Sequence, residues 1–199
     1  MTDVVDYYVS PVSPFVYLGH AAFVTIAREH GAEVVVKPVD LGRVFPVSGG
    51  LPLAKRAPQR QHYRLAELRR WSAHRGVPLN PQPRFFPCPA DPAALWLLAA
   101  EEVGPGPALD LLGAIGRALW AEERNIAEEA VLRDLAAGLG LDAERLAERA
   151  GAPDIRVRLD TLTQEAIDRG VFGVPTYVVR GEMYWGQDRL DFVARALAQ

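Results

Sequence analysis

Tyr8-Val9-Ser10-Pro11-Val12-Ser13-Pro14-Phe15-Val16-Tyr17-Leu18-Gly19 is the stretch on which the reading of this chain turns. It follows an extended apolar run, Val4 to Val9, and opens an apolar-periodic segment that lasts to His30. A strand therefore runs straight into a helix N-terminus. Ser13 stands where an N-cap belongs, and Pro14 stands at the first helical position, which suits its fixed φ and missing N–H. The unpaired N–H groups and the positive dipole end of such a helix face whatever lies beside Ser13, a place for a thiolate or another anion. Read by itself, a Ser-Pro at a helix start is a cap and nothing more.

Outward from this stretch, Gly31 closes the helix Pro14–His30, and Glu33 to Val39 reads as a second, valine-rich strand. Two strands joined by a crossover helix imply a parallel pair with a right-handed connection, the opening half of a thioredoxin-like fold. The pattern then changes. Phe45 to Pro58 reads as a loop with three prolines and Gly49-Gly50, and Gln59 to Arg75 as a basic helix stopped by Gly76. Val77 to Pro92 carries too much proline for a helix or a central strand. Its Arg84, Phe85, Phe86 and Cys88 read equally as the wall of an aromatic pocket or as a plug into the core.

Helices follow at Asp91–Val103, with Asp91 as cap, and at Pro107–Ala121, Glu128–Ala137, Ala143–Ala150 and Asp154–Arg169. Strands return only at Thr176–Val179 and Glu182–Tyr184, joined at Arg180-Gly181, before a last helix Asp188–Ala198. The expected architecture is α/β: a discontinuous thioredoxin-like domain, residues 1–46 and 154–199, with an all-helical insertion at 47–153.

Of the 199 residues 49% are hydrophobic, enough for a real core, and the net charge of −3 with no basic block points away from nucleic acid. The single cysteine, Cys88, excludes an intrachain disulfide and with it dithiol–disulfide exchange. Acids stand near the N-terminus where a signal peptide needs a basic start, and no apolar run approaches the ~18 residues of a membrane span. A soluble cytoplasmic protein is the expectation.

Ser13-Pro14-Phe15-x-Tyr17-Leu18 after a strand resembles the active-site turn of the 2-hydroxychromene-2-carboxylate isomerases, glutathione-dependent proteins of the DsbA-like group related to the kappa-class glutathione transferases. Gly170-Val171-Phe172-Gly173-Val174-Pro175-Thr176 and Tyr184-Trp185-Gly186-Gln187-Asp188-Arg189-Leu190 resemble their C-terminal signature. Where oxidoreductases of this fold carry Cys-x-x-Cys, the chain reads Ser13-Pro14-Phe15-Val16, so the resemblance implies that the sulfur comes from glutathione.

By that resemblance Ser13 stabilises the glutathione thiolate. The backbone of Val174, before a cis Pro175, pairs with the cysteinyl part. Gln187 and Asp188 meet the γ-glutamyl end, and Arg60, or alternatively Lys55, meets the glycine carboxylate. Asp188 reads equally as an N-cap of the last helix. Ser10 stands where relatives often carry Asp, Gln187 where they often carry Asn, and Pro87-Cys88-Pro89 departs from their usual pocket loop. Trp71, Trp120 and Trp185 read as core or pocket wall.

The implied reaction is reversible addition of a thiolate to an electron-poor enone acid, rotation, and expulsion of the thiolate. It interconverts 2-hydroxychromene-2-carboxylate and trans-o-hydroxybenzylidenepyruvate. A homodimer is implied by the relatives. Two readings compete: a transferase or peroxidase that consumes glutathione, and a redox-inactive thioredoxin-like module that binds peptides or a partner protein.

Overall fold

The computed structural model describes residues 2–199. β1 (Val4–Val9) pairs in parallel with β2 (Glu33–Pro38), and α1 (Pro14–Glu29) crosses between them. β1 is also antiparallel to β3 (Thr176–Val179), which pairs with β4 (Glu182–Trp185) in a hairpin. The strand order is β2-β1-β3-β4. β1 is thus central, and Tyr7, Tyr8 and Val9 are buried whichever face they point to. Arg180 (φ 50°) and Gly181 (φ 85°) make the β3–β4 turn; positive φ at both positions matches a type I′ hairpin.

The helical block is α2 (Leu41–Ser48), α3 (Pro58–Arg75), α4 (Asp91–Glu101), α5 (Pro105–Trp120), α6 (Glu129–Gly138) and α7 (Ala143–Ala150); α8 (Pro153–Asp168) and α9 (Leu190–Leu197) complete the chain. α2 corrects the first part of the expected loop, Phe45–Ser48. Asp40 caps it through Gly42 N (2.7 Å), Val44 is buried, and Gly49 (φ 76°) ends it. Pro46 removes one backbone donor only two residues before the helix ends, so the loss is small. α4 starts at Asp91 with Ala90 as its cap residue, one position earlier than the aspartate cap expected, and α5 starts at Pro105 rather than Pro107. Asp142 caps α7 as its sequence suggests, accepting from Arg145 N at 3.0 Å.

One buried cluster runs from Val5, Tyr7 and Val36 through Phe23 of α1 to Leu97, Leu111, Ile115 and Trp120, so the sheet and the helical block share a core. The other face of the sheet carries Tyr8, Val39 and Val178 against Ala166 of α8. Here Lys37 is held by Asp6 (2.9 Å) and Glu165 (2.8 Å), Arg169 also pairs with Asp6 (2.8 Å), and the Tyr8 hydroxyl donates to Glu165 (2.7 Å). No helix is long and apolar enough to cross a membrane among the described residues.

Glu101 ends α4 against the Val36 backbone, with Oε2 buried and without a hydrogen-bond partner among the described residues. Burial pushes its carboxyl up to about 7, against the lowering pull of Arg158. A carboxyl raised on folding holds a proton that the unfolded chain has already released, so stability falls as pH rises from the ordinary carboxyl range toward 7. Glu101→Gln should therefore gain about 1–2 kcal/mol on wild type between pH 5 and pH 8, a figure reduced for the group's partial exposure. Urea unfolding of both proteins at the two pH values measures it; parallel pH profiles would contradict it.

Candidate functional site

The sheet register gathers several loops at one end. Val9 pairs with Pro38, Tyr8 with Thr176, and Thr176 with Trp185. The chain leaving β1 (Ser10 to Ser13), the chain entering β3 (Gly173 to Pro175) and the chain leaving β4 (Gly186 to Asp188) therefore meet there. Loops beyond the carboxyl end of such a strand are where open α/β sheets bind ligands.

Ser13 caps α1 with extended backbone (φ −81°, ψ 120°), and its Oγ accepts from Val16 N at 3.3 Å. A hydroxyl has one hydrogen to donate and two lone pairs, so this cap leaves the Ser13 hydrogen available. Phe15 N–H, in the first turn, makes no hydrogen bond among the described residues. Ser10 is buried, and its carbonyl accepts from Ser13 N (2.9 Å); it shapes the turn.

The Val174–Pro175 bond is cis. Gly186 N donates to the Pro175 carbonyl (2.9 Å), tying the β3 entry to the β4 exit. Neither the N–H nor the C=O of Val174 is hydrogen-bonded among the described residues. A Cβ on Gly173 would lie 2.7 Å from the Trp185 indole nitrogen, so glycine is required for the indole to lie across this loop. Trp185 is half exposed and packs on Phe172 at 4.7 Å, a wall beside Val174.

Gln187 to Arg189 form a single 3-10 turn before α9. A Cβ on Gly19 would fall 2.6 Å from Gln187 Cβ, so α1 lies on this turn only because residue 19 has no side chain. Gln187 is buried, and Arg75 from the end of α3 holds it twice: Nε donates to Oε1 (2.8 Å) and Nη2 to the backbone carbonyl (2.6 Å). Asp188 is exposed and pairs with Arg189 (2.6 Å). It is not the cap of α9, whose cap residue is Arg189. An exposed pair of this kind is worth about 0–1 kcal/mol, so an incoming ammonium can take Asp188 from Arg189 at little cost.

A model of the DSBA-like thioredoxin domain matches residues 4–198. The chain belongs to the DsbA-like thioredoxin family. Within it, the chain stands with proteins named 2-hydroxychromene-2-carboxylate isomerase. One from Sphingobium xenophagum is 30% identical over 97% of both chains, and one from Pseudomonas putida is 27% identical over 98% of this chain and 95% of that one. A solved 2-hydroxychromene-2-carboxylate isomerase superposes with a TM-score of 0.82 at 27% identity, covering 98% of this chain and 94% of that one.

The DsbA-like frame thus brings Ser13, Val174, Pro175, Gln187 and Asp188 to one end of its sheet. Arg60 and Lys55 are exposed and lie outside those loops, Arg60 on the first turn of α3 and Lys55 on the short 3-10 turn Leu53–Lys55. Arg60 precedes Arg75 by fifteen residues, about 22 Å along the helix axis. Cys88 is partly buried, unbridged, and kept protonated by burial, which raises its thiol. Phe86 packs on Trp120 at 4.8 Å, and Trp120 is wholly buried; of the two readings of the proline-rich loop, Phe86 serves as a plug.

Arg75 is the residue that sequence reasoning missed. It is one of five arginines on α3, and only the fold shows that it alone reaches Gln187. Arg75→Met would leave both Gln187 oxygens without their donor and should lower stability by about 1–2 kcal/mol. Arg75→Lys, which cannot make the two-pronged contact, should recover part of that loss. Chemical denaturation of the three proteins decides; an unchanged midpoint in Arg75→Met would mean the clamp contributes nothing.

Proposed function

We propose that this DsbA-like protein is a glutathione-dependent cis-trans isomerase of the 2-hydroxychromene-2-carboxylate type. The observation that carries the proposal is the end of the sheet where α1 starts: it offers the Ser13 hydroxyl hydrogen, an unpaired Phe15 N–H and the unpaired Val174 backbone, and no thiol stands at the α1 start. The donors suit an anionic sulfur, the Val174 N–H and C=O suit the peptide groups that flank it, and the names of the relatives supply the substrate class.

When bound, glutathione would supply a thiolate that adds to the enone, lets the former double bond rotate, and leaves unchanged. Ser13 would donate its hydrogen to the sulfur. A hydrogen bond to a charged group is worth about 1.5–3 kcal/mol, and a unit of thiol pKa corresponds to about 1.4 kcal/mol, so this bond and the helix N-terminus suffice to lower a thiol of pKa ~8.5 toward neutrality. Val174 would align the cysteinyl peptide, and Asp188 would hold the γ-glutamyl ammonium, on a turn fixed by Arg75. Trp185 and Phe172 would wall the substrate.

The test is turnover of 2-hydroxychromene-2-carboxylate with glutathione below stoichiometric amounts. Many turnovers per glutathione, with the thiol recovered unchanged, support the isomerase. Steady loss of glutathione would make the protein a transferase or peroxidase, and no turnover would overturn the enzymatic reading.

A further inference from the structure

Most of the arginines in this chain sit beside a carboxylate: Arg149, for example, holds both Glu102 and Asp154. Arg64 does not. Its guanidinium lies 5.3 Å over the Phe86 ring and 5.8 Å from the centre of Trp120, partly withdrawn from water, with no ion pair or hydrogen bond among the described residues. Arg60, one helical turn earlier, also has no ion pair among the described residues. Arg56, just before α3, donates to the Leu51 carbonyl and lies over the Phe45 ring, and has no ion pair among the described residues. The charge that acts on Arg64 is that of Arg56, of like sign. Burial lowers the Arg64 guanidinium to about 10. Beneath it the Trp120 indole N–H is buried with no acceptor among the described residues.

Like charges one turn apart oppose a helix, and a desolvated cation without a partner is costly. An anion bound here would relieve both costs. The place is joined to the site. Tyr17, one turn after Ser13, fills the space over Gly116, one turn before Trp120 on α5. The Tyr17 hydroxyl donates to the Pro78 carbonyl (2.8 Å), at the start of the loop that carries Phe86. The planar guanidinium fork suits a carboxylate.

We propose that Arg64, backed by Arg56 and Arg60 over Phe86 and Trp120, is a seat for a carboxylate. This rests on the proposed function for its two sources: the acid group of the enone substrate and the glycine carboxylate of glutathione. The test uses Arg64→Met, which keeps the aliphatic stem over the rings, and Arg64→Lys, which keeps a cation there. Calorimetric titrations use trans-cinnamate, its neutral amide, glutathione, and γ-glutamylcysteine, which lacks the glycine.

If the substrate is the source, Arg64→Met weakens trans-cinnamate at least 10-fold, leaves the amide within 2-fold and leaves glutathione unchanged. If glutathione is the source, Arg64→Met weakens glutathione at least 10-fold and γ-glutamylcysteine less than 2-fold. Arg64→Lys falls between wild type and Arg64→Met in either case, and carries the test should Arg64→Met not fold. Wild type that binds trans-cinnamate but no glutathione, with that binding lost in Arg64→Met, would retain the seat and sink the glutathione reading. Equal binding of every carboxylate by wild type and variants, or no carboxylate bound by wild type, overturns the proposal.

Discussion

Ser13→Ala is expected to cut turnover with glutathione by roughly 10- to 100-fold and to move the acidic limb of the pH–rate profile upward by about one unit. The Ser13 Oγ already accepts from Val16 N, so its one hydrogen is the group left for a sulfur at the helix start. Removing it takes away a hydrogen bond to a charged atom, which weakens the thiolate relative to the thiol. The same change removes the α1 cap, worth about 1 kcal/mol, so stability falls as well. The pH shift separates the two effects, because loss of a cap alone does not move a ligand's titration. A variant with the wild-type pH profile would show that Ser13 only caps its helix.

Lys37→Met is expected to lower stability by about 3 kcal/mol. Lys37 is 11% exposed and is the cation placed between Asp6 and Glu165. Burial alone would raise Glu165, yet the bonds from Lys37 and Tyr8 bring it below its ordinary range. Without Lys37, Asp6 and Glu165 face each other with only Arg169, which is 46% exposed, to share. The network ties α8 to the β1–β2 pair on the sheet face away from α1. Denaturant midpoints should therefore fall while glutathione binding by the folded protein stays within 2-fold. A midpoint shift below about 1 kcal/mol would mean that Arg169 compensates in full.

The sheet and the site turn were legible because each rests on short-range signals. Ser13-Pro14 marks a helix start by backbone chemistry alone, Gly31 and Gly76 mark stops that need positive φ, and Arg180-Gly181 marks a hairpin. Other features depend on contacts distant in sequence. α2 survives Pro46 because Asp40 caps it and Val44 finds a buried place; both residues precede the stretch from Phe45 that reads as a loop. Asp188 looked like a cap by spacing, but the chain inserts a 3-10 turn, and the carboxylate goes to Arg189. Gln187, which the resemblance sets against the γ-glutamyl end of glutathione, is buried, enclosed by Gly19 and Arg75 from elements far away in sequence. The match of the two end blocks located the DsbA-like frame, while the cations of α3, one stripe in the sequence, separate in space into a clamp at Arg75 and an unpaired group at Arg64.

The measurement that bears most directly on the account is a calorimetric titration of the purified protein with glutathione beside S-methyl glutathione. Binding at millimolar glutathione or below is expected, with weaker binding of the S-methyl form, because a methylated sulfur cannot carry the charge that Ser13 and the start of α1 would hold. Equal binding of the two forms, or no heat at millimolar glutathione, would contradict it.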